Sequence, residues 1–305
     1  MNTDFPDEVF DSCVSDSAYD YIAEQGRNIC KSKSIFFCGI VRNNAKVLER
    51  NLARISRTAS SFKNSFTFLY ENDSTDNTVD ILNKAKSNST NFDFLSENRK
   101  DKDYDIQLKN GEDFDEYKRC CVLSDCRNKY MDYIKSNNIT KSYDYICVID
   151  LDIKGGWSYK GFHNSIFMLE NIKQAAAMTA YGVIADPYQN GKLEDREHKY
   201  YWMYDTFAYR PVGKDPKMDM RTRGPFNCIY LRRGEKPIEV LSNFGGLGIY
   251  KSEYFNYNYK VNKWQDWYVD SEHVFFHKQM IDQGGKIFIN PSLTVSYVNH
   301  KYSEI

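Results

Sequence analysis

The sequence has no long hydrophobic run and no excess of charge of one sign. Its 305 residues carry 41 Lys and Arg against 42 Asp and Glu, a formal net charge of -1 at pH 7. Binding to a nucleic-acid backbone requires a clustered excess of Lys and Arg, so we expect no nucleic-acid partner. A membrane-spanning helix needs about 20 consecutive apolar residues, and we expect none. The first 20 residues carry acids in place of the basic and apolar regions of a secretory signal, which predicts a cytoplasmic protein.

The eight cysteines also lack any paired motif. They form no CxxC pair and show none of the spacings typical of a zinc knuckle. Most lie in apolar runs such as IFFC and YICVID, where a reduced cysteine acts as a small buried hydrophobic side chain. Because disulfides are rare in the cytosol, we expect free thiols.

Apolar runs of strand length alternate with segments of helical periodicity through the first half of the chain. The predicted strands are residues 35–41, 65–70, 92–95 and 145–149, and the predicted helices are residues 45–60, 76–87 and 124–136. Strands that are apolar throughout and joined by helices are typical of βαβ units. We therefore expect an α/β fold with a mostly parallel central sheet flanked by helices.

The second half of the chain departs from this alternation. Five of the seven prolines fall in or beside residues 186–237, together with several tyrosines and arginines. Irregular stretches of this length are usually binding loops or lids, although a flexible insertion would look the same. Regular structure is predicted at residues 164–173, 177–184, 241–250, 271–283 and 286–289.

The strongest functional signal is Asp150-Leu151-Asp152, directly after the strand YICVI and ahead of two glycines. Alternation along an extended chain places both carboxylates on one side, at the strand end where open α/β sheets bind ligands. Such a pair suits Mg²⁺ or Mn²⁺ held together with ligand phosphates. A DxD also arises by chance among 42 acids, but its position after a buried strand favours a site.

A second group of acids follows the second predicted strand, in the segment ENDSTDNT at residues 71–78. Its later part is typical of a helix start, with Ser74 or Thr75 as the cap. Glu71 and Asp73 come earlier, where a carboxylate can accept a hydrogen bond from a nucleobase. Because parallel strands end at the same edge of a sheet, we expect both groups of acids to lie at that edge.

These segments together resemble the nucleotide-binding half of a GT-A fold glycosyltransferase. The resemblance rests on a strand ending VRNN, a strand ending ENDSTDNT, the helix SDCRNKY and a strand ending DLD, over about residues 35–156. It implies a polar lead-in at 1–32, a nucleotide-sugar-binding half at 33–156, and an acceptor-binding half of the same domain at 157–305. It also implies contacts with the donor from Val41, Arg42, Glu71, Asp73, Arg127, Asp150 and Leu151, and a metal held by Asp150 and Asp152.

Later segments extend the resemblance. Gly245 and Gly246 in NFGGLG match a glycine segment that lines the acceptor side in the family, although a tight turn would use the same residues. The segment WYVDSEHVFF resembles the family's acidic motif at the start of a helix, which implies a catalytic role for Glu272, with His273 beside it. A cap at Asp270 or Ser271 is the structural alternative.

Two details narrow the expected chemistry. His300 stands where several members of the family place a third metal ligand, and an imidazole ligand favours Mn²⁺ over Mg²⁺. The pattern EHxxF at residues 272–276 resembles that of the fungal capsule-associated and α-1,3-mannosyltransferase enzymes.

The resemblance implies metal-dependent transfer of a sugar from a UDP- or GDP-linked donor to a hydroxyl of a glycan or glycoconjugate, with retention of configuration favoured. Arg127 would assist catalysis by fixed electrostatic stabilisation. A sugar-phosphate nucleotidyltransferase is an alternative, but the stretch VRNNAK after the first strand lacks the glycine-rich loop that cradles a triphosphate. A catalytically inactive carbohydrate-binding protein is another. A glycoside hydrolase would depend on neither metal nor nucleotide.

Overall fold

The computed structural model describes residues 3–99, 116–185, 201–213, 229–265 and 268–297. Its helices are α1(Asp16–Cys30), α2(Ala45–Ala59), α3(Thr78–Asn88), α4(Glu116–Ser136), α5(Ile139–Ser142), α6(Tyr159–Asn171) and α7(Glu272–Asp282). Its strands are β1(Ser34–Val41), β2(Asn64–Asn72), β3(Phe92–Glu97), β4(Tyr145–Ile149), β5(Gly156–Trp157), β6(Ala175–Ala185), β7(Tyr201–Met203), β8(Arg210–Pro211), β9(Ile238–Ser242), β10(Leu247–Lys251), β11(Lys263–Gln265), β12(Tyr268–Val269) and β13(Lys286–Ser296).

One large sheet organises the chain, with the strand order β3-β2-β1-β4-β10-β6-β13-β9-β8. The first four of these strands are parallel, β13 is parallel to β6, and β10 runs antiparallel between β4 and β6. The expected α/β class, with a mostly parallel central sheet flanked by helices, is confirmed.

Alternation along β1 explains why its sequence is apolar throughout. Phe36 and Cys38 pack on the face covered by α4, while Ile35 and Phe37 pack on the opposite face, with side chains of α2 such as Leu48. A strand covered on both faces cannot show the polar alternation of a half-exposed strand. The result is a helix–sheet–helix sandwich with one hydrophobic cluster on each side of the sheet.

The order of the first four strands places a crevice at one edge of the sheet. From β1 the chain passes through α2 and α3 to β2 and β3 on one side, whereas β4 lies on the other side of β1. The loops that follow β1 and β4 therefore separate, and open α/β sheets bind their ligands at such a switch point.

Most predicted boundaries agree with the structure to within a few residues, but several differ. Residues 241–250 belong to two strands, β9 and β10, and β13 continues to Ser296, beyond the predicted end at 289. Helix α4 is already present at Glu116, where the described residues resume, and α6 begins at Tyr159, about one and a half turns before the predicted start, with Ser158 as its cap. The predicted cap of α3 at Ser74 or Thr75 was wrong. Asn77 occupies that position without a side-chain cap, the hydroxyl of Ser74 bonds the loop after β1, and Asp76 bonds both that loop and the N–H of Thr78 at the start of α3.

The predicted stretch at residues 186–237 is described only in part. Residues 201–213 form β7, β8 and the turn between them, residues 229–237 lead into β9, and the rest lies outside the described residues. The thiols of Cys38 and Cys147 are buried and free, as expected from their apolar runs, and so is that of Cys30. In the part of the chain that the structure describes, no helix has both the length and the apolar character needed to span a membrane.

The lead-in helix α1 is docked on α6 through a close backbone contact. Gly26 in α1 faces the backbone of His163, and a Cβ built on Gly26 would lie 1.7 Å from the carbonyl oxygen of His163. The contact therefore leaves no room for a side chain at this position.

We predict that Gly26→Ala destabilises the protein. Alanine in an open helix would gain about 1 kcal/mol over glycine, but the overlap with His163 forces the helices apart, at a net cost of about 1–3 kcal/mol. The measurement is the urea midpoint of unfolding. Asn28→Ala, at an exposed position of the same helix, serves as the control and should leave the midpoint unchanged or slightly higher. A Gly26→Ala protein as stable as wild type would contradict the docking of α1.

Candidate active site

A cavity of about 300 Å³ opens where β1, β2 and β4 end. It is lined by Ile40, Val41, Arg42, Asn44, Asn72, Arg119, Val122, Leu123, Cys126, Arg127, Asp150, Leu151, Asp152 and Tyr204. A larger concavity of about 480 Å³ lies between α1, α2 and α6. Charged side chains there pair with one another, as in Arg27–Glu24 and Lys160–Asp20, so we assign the candidate active site to the cavity at the strand ends.

The two carboxylates of the DxD segment have different surroundings. Asp150 Oδ1 accepts a hydrogen bond from Arg127 Nη2 at 3.3 Å, and Asp150 Oδ2 accepts one from the hydroxyl of Tyr297 at 3.2 Å. Asp152 is exposed on the cavity wall. Burial raises the pKa of Asp150 above its ordinary value, Arg127 lowers that pKa, and the charge of Asp152 raises it further.

This arrangement fits a divalent cation that is shared with a ligand. Mg²⁺ and Mn²⁺ commonly bind one or two carboxylates together with phosphate oxygens, and a cation would relieve the repulsion between Asp150 and Asp152. No cluster of three or more ligating side chains occurs within the described residues. His300, predicted as the third ligand, lies outside the described residues.

Arg127 connects the DxD segment to the acid at the start of α7. Its Nε donates to Glu272 Oε1 at 2.9 Å, and the two side chains are only 5% and 4% exposed. The guanidinium also lies over the ring of Phe244, 5.2 Å from its centroid. The predicted residues Arg127, Asp150 and Glu272 are therefore brought together, and Arg127 already binds both acids.

His273 lies behind this network and not on the cavity wall. Its ring stacks on Phe244 at 4.0 Å, and its Nε2 lies 3.6 Å from Glu272 Oε1. Burial, and secondly the charge of Arg127, hold the pKa of His273 well below its usual range. His273 is thus a buried ring packed between Phe244 and Glu272.

The start of α7 settles which residue caps the helix. Ser271 occupies the N-cap position and its hydroxyl accepts the backbone N–H of His273 at 3.4 Å. Asp270 instead forms a buried ion pair with Arg210 at 2.8 Å. Glu272 neither caps the helix nor pairs with Arg210, so its carboxylate can accept a hydrogen bond from Arg127.

Glu71 and Asp73, the two acids predicted to approach the nucleoside, instead bind neighbouring groups of the protein. Glu71 is 1% exposed, and its carboxylate accepts the backbone N–H of Ser74 at 2.8 Å and the hydroxyl of Ser96. Asp73 accepts the backbone N–H of Arg99 at 2.7 Å. The structure puts their neighbour Asn72, and neither acid, on the cavity wall.

The rest of the ENDSTDNT segment binds the loop after β1. The side chains of Ser74, Asp76 and Thr78 accept the backbone N–H groups of Asn43, Ala45 and Asn44 at 2.9, 3.0 and 2.8 Å. These donors belong to the start of α2. Ser74 and Thr78 therefore bind the start of the neighbouring helix, a role that spacing along the chain does not show, while Asp76 also accepts the N–H of Thr78 in its own helix at 3.0 Å.

The glycine pair is both a tight turn and part of the site. Gly245 and Gly246 have φ of 65° and 89°, a region that favours glycine. The carbonyl of Gly246 accepts the backbone N–H of Asp150 at 2.9 Å. A Cβ on Gly246 would lie 2.2 Å from the hydroxyl of Tyr297, so a glycine here lets Tyr297 reach Asp150.

Sequence reasoning missed Asn72, Arg119, Tyr204, Asp205, Arg210 and Tyr297. Most of these residues act through partners far away in the chain, and no short motif marks them. Tyr204, Asp205 and Arg210 fall within the predicted binding stretch at 186–237, which was the signal available for them. Tyr297 directly follows β13, whose end at Ser296 lies beyond the predicted strand 286–289.

The chain was compared with family models, curated proteins and solved structures. No family model and no curated protein matches the sequence. Solved structures with a similar fold include the mannosyltransferase PcManGT from Pyrobaculum calidifontis in complex with GDP-Man and Mn²⁺, at a TM-score of 0.49 and 10% identity, covering 92% of this chain and 63% of that one.

Two further structures are GalNAc-T7 with UDP, GalNAc and Mn²⁺ (TM-score 0.45, 11% identity, 94% of this chain and 53% of that one) and residues 1–349 of S. aureus TarS (TM-score 0.44, 9% identity, 86% and 60%). The chain thus spans between about half and two thirds of the length of these three proteins. Because the TM-scores lie below 0.5, the function has to be inferred from the site residues themselves.

We predict that Arg127→Met destabilises the fold as well as the site. It leaves the carboxylates of Glu272 and Asp150 without their shared partner, and breaking a buried ion pair by removing one member costs about 3–5 kcal/mol. Chemical denaturation measures the loss. Arg119→Met, on the same helix and cavity wall but less buried, should stay within about 0.5 kcal/mol of wild type. Equal effects of the two changes would contradict a structural role for Arg127.

Proposed function

We propose that the chain is a metal-dependent glycosyltransferase that moves a sugar from a UDP- or GDP-linked donor to a hydroxyl of a glycan or glycoconjugate. The observation that carries the proposal is one cavity at the switch point of the sheet that holds the DxD carboxylates, with Arg127 linking Asp150 to Glu272. In this proposal a cation and a diphosphate bind at the DxD carboxylates, and Glu272, buried on the other side of Arg127, is the acid for the acceptor.

The loop after β1 argues against a sugar-phosphate nucleotidyltransferase. Such an enzyme uses free backbone N–H groups of a glycine-rich loop to cradle a triphosphate. Here the N–H groups of Asn43, Asn44 and Ala45 are already bonded by side chains of the ENDSTDNT segment. The loop therefore shapes the nucleoside end of the cavity and does not wrap phosphates.

The residues of the cavity take the following parts in this proposal. Val41 and Asn72 border the nucleoside, and Arg42 and Arg119 supply positive charge for the diphosphate. Asp152, with Asp150, would hold Mn²⁺ or Mg²⁺, which when bound neutralises charge on the departing diphosphate as a Lewis acid. Asp150 is kept in place for this by Arg127 and Tyr297.

Glu272 is the acid nearest the acceptor side. Its Oε1 is engaged by Arg127 at 2.9 Å and its Oε2 accepts from Ser271 Oγ at 3.3 Å. Both oxygens are held by the chain, which favours a role in orienting the acceptor and stabilising positive charge over removal of a proton. This role agrees with retention of configuration, which proton NMR of the anomeric signal of the product would test.

Nucleotide binding tests the donor site. Calorimetric titration with UDP and with GDP, each with Mn²⁺ and with EDTA, should give manganese-dependent binding of one nucleotide. Asp152→Ala should lose the manganese-dependent part, because Asp152 is the exposed carboxylate of the pair. Asp132→Ala, an exposed acid on the far part of α4, should bind as wild type. No binding of either nucleotide by the wild-type protein would overturn the proposal.

Glu272→Gln tests turnover separately from binding. Glutamine keeps the shape and can still accept from Arg127, which retains Asp150 as a charged partner, so the loss of stability should be smaller than in Arg127→Met and the affinity for the nucleotide should change little. Loss of the negative charge should lower kcat by about 10²–10³, followed as release of UDP or GDP from the donor. A wild-type protein that binds the nucleotide sugar but never releases the nucleotide, with any acceptor, would indicate the inactive carbohydrate-binding alternative.

A further inference from the structure

Tyr204 presents an aromatic face to the cavity and is held there from behind. Its side chain is 43% exposed and lines the cavity. Its ring stacks on that of Tyr297 with centroids 3.7 Å apart and planes 23° from parallel. Because Tyr297 covers one face of the ring, the exposed area of Tyr204 belongs to the other face and the edge.

The backbone fixes both rings relative to the sheet. The N–H of Tyr204 donates to the carbonyl of Gly182 at 2.8 Å, and the N–H of Tyr297 donates to the carbonyl of Val183 at 3.0 Å. The hydroxyl of Tyr297 is tied to Asp150. The aromatic face is therefore set at a constant position relative to the DxD carboxylates.

Asp205, the next residue, anchors the same segment to the glycine turn. Its carboxylate accepts the backbone N–H groups of Gly245 and Ala208, each at 3.0 Å. The segment that carries Tyr204 is thus bound on both sides, to β6 and to the turn before β10. A preorganised aromatic face of this kind binds a ligand without the cost of ordering a loop.

The order of strands shows which part of a donor would meet Tyr204. Along the sheet edge come Asn72 at the end of β2, Val41 at the end of β1, the DxD carboxylates after β4, then β10 and β6 with Tyr204. Neighbouring strands lie about 4.8 Å apart, so Tyr204 is displaced from the carboxylates in the direction opposite to the nucleoside end. In a nucleoside diphosphate sugar the sugar lies beyond the diphosphate, on that same side.

From this geometry we propose that Tyr204 is the stacking platform for the sugar ring of the donor and determines the preference for a nucleotide sugar over the free nucleotide. This inference rests on the proposed function. The apolar C–H face of a pyranose packs on an aromatic ring, and the backing by Tyr297 keeps the ring from turning away.

The test compares the affinity for a nucleotide sugar with that for its free nucleotide. Calorimetry with Mn²⁺ would use the pairs UDP and UDP-glucose, and GDP and GDP-mannose, on wild type and Tyr204→Ala. The gain in affinity that the sugar provides should fall about tenfold in Tyr204→Ala, while Kd for the free nucleotide should stay within about twofold. Tyr204→Phe should retain the gain, since it keeps the ring.

Tyr21→Ala, at an exposed tyrosine on α1, controls for the loss of a surface tyrosine and should match wild type. Equal changes of Kd for nucleotide and nucleotide sugar in Tyr204→Ala, or no change in either Kd, would overturn the stacking role of Tyr204 while leaving the proposed function intact. Equal wild-type affinity within both pairs would do the same. No nucleotide binding by the wild-type protein would overturn the proposed function, and the platform with it.

Discussion

The site depends on one buried guanidinium. Arg127 comes from α4 and joins Asp150, at the end of a central strand, to Glu272, at the start of α7. The two acids belong to different halves of the chain, and both would be costly to bury near each other without a cation. The ion pairs of Arg127 therefore fix the distance between the DxD segment and Glu272.

A second set of constraints surrounds Asp150. The turn at Gly245 and Gly246 binds its backbone, Tyr297 binds its carboxylate, and Asp205 ties the turn to the segment that carries Tyr204. None of these contacts uses Asp152. One carboxylate of the DxD pair is thus part of the scaffold, whereas the other is exposed on the cavity wall, so two chemically identical residues have different surroundings.

Much of the fold could be predicted because its signals are local. The apolar runs of β1 and β4 and the helical spacing of α2 report burial on one or two faces, and burial follows directly from periodicity. The DxD acids could be predicted for the same reason, since a strand end is visible in the sequence. The roles of Glu71 and of the Ser74–Thr78 stretch could not, because their partners lie on Ser96 and on the loop after β1.

By itself the sequence determined the α/β class, the parallel first half, and the presence of Arg127, Asp150 and Glu272 as chemically able side chains. Tertiary structure alone decided which of them meet, that Glu71 binds Ser74 and Ser96, that Tyr204 lines the cavity, and that Tyr297 holds Asp150. The reason is physical: a periodic pattern records how each residue faces the core, whereas a hydrogen bond between side chains of different elements depends on how those elements pack.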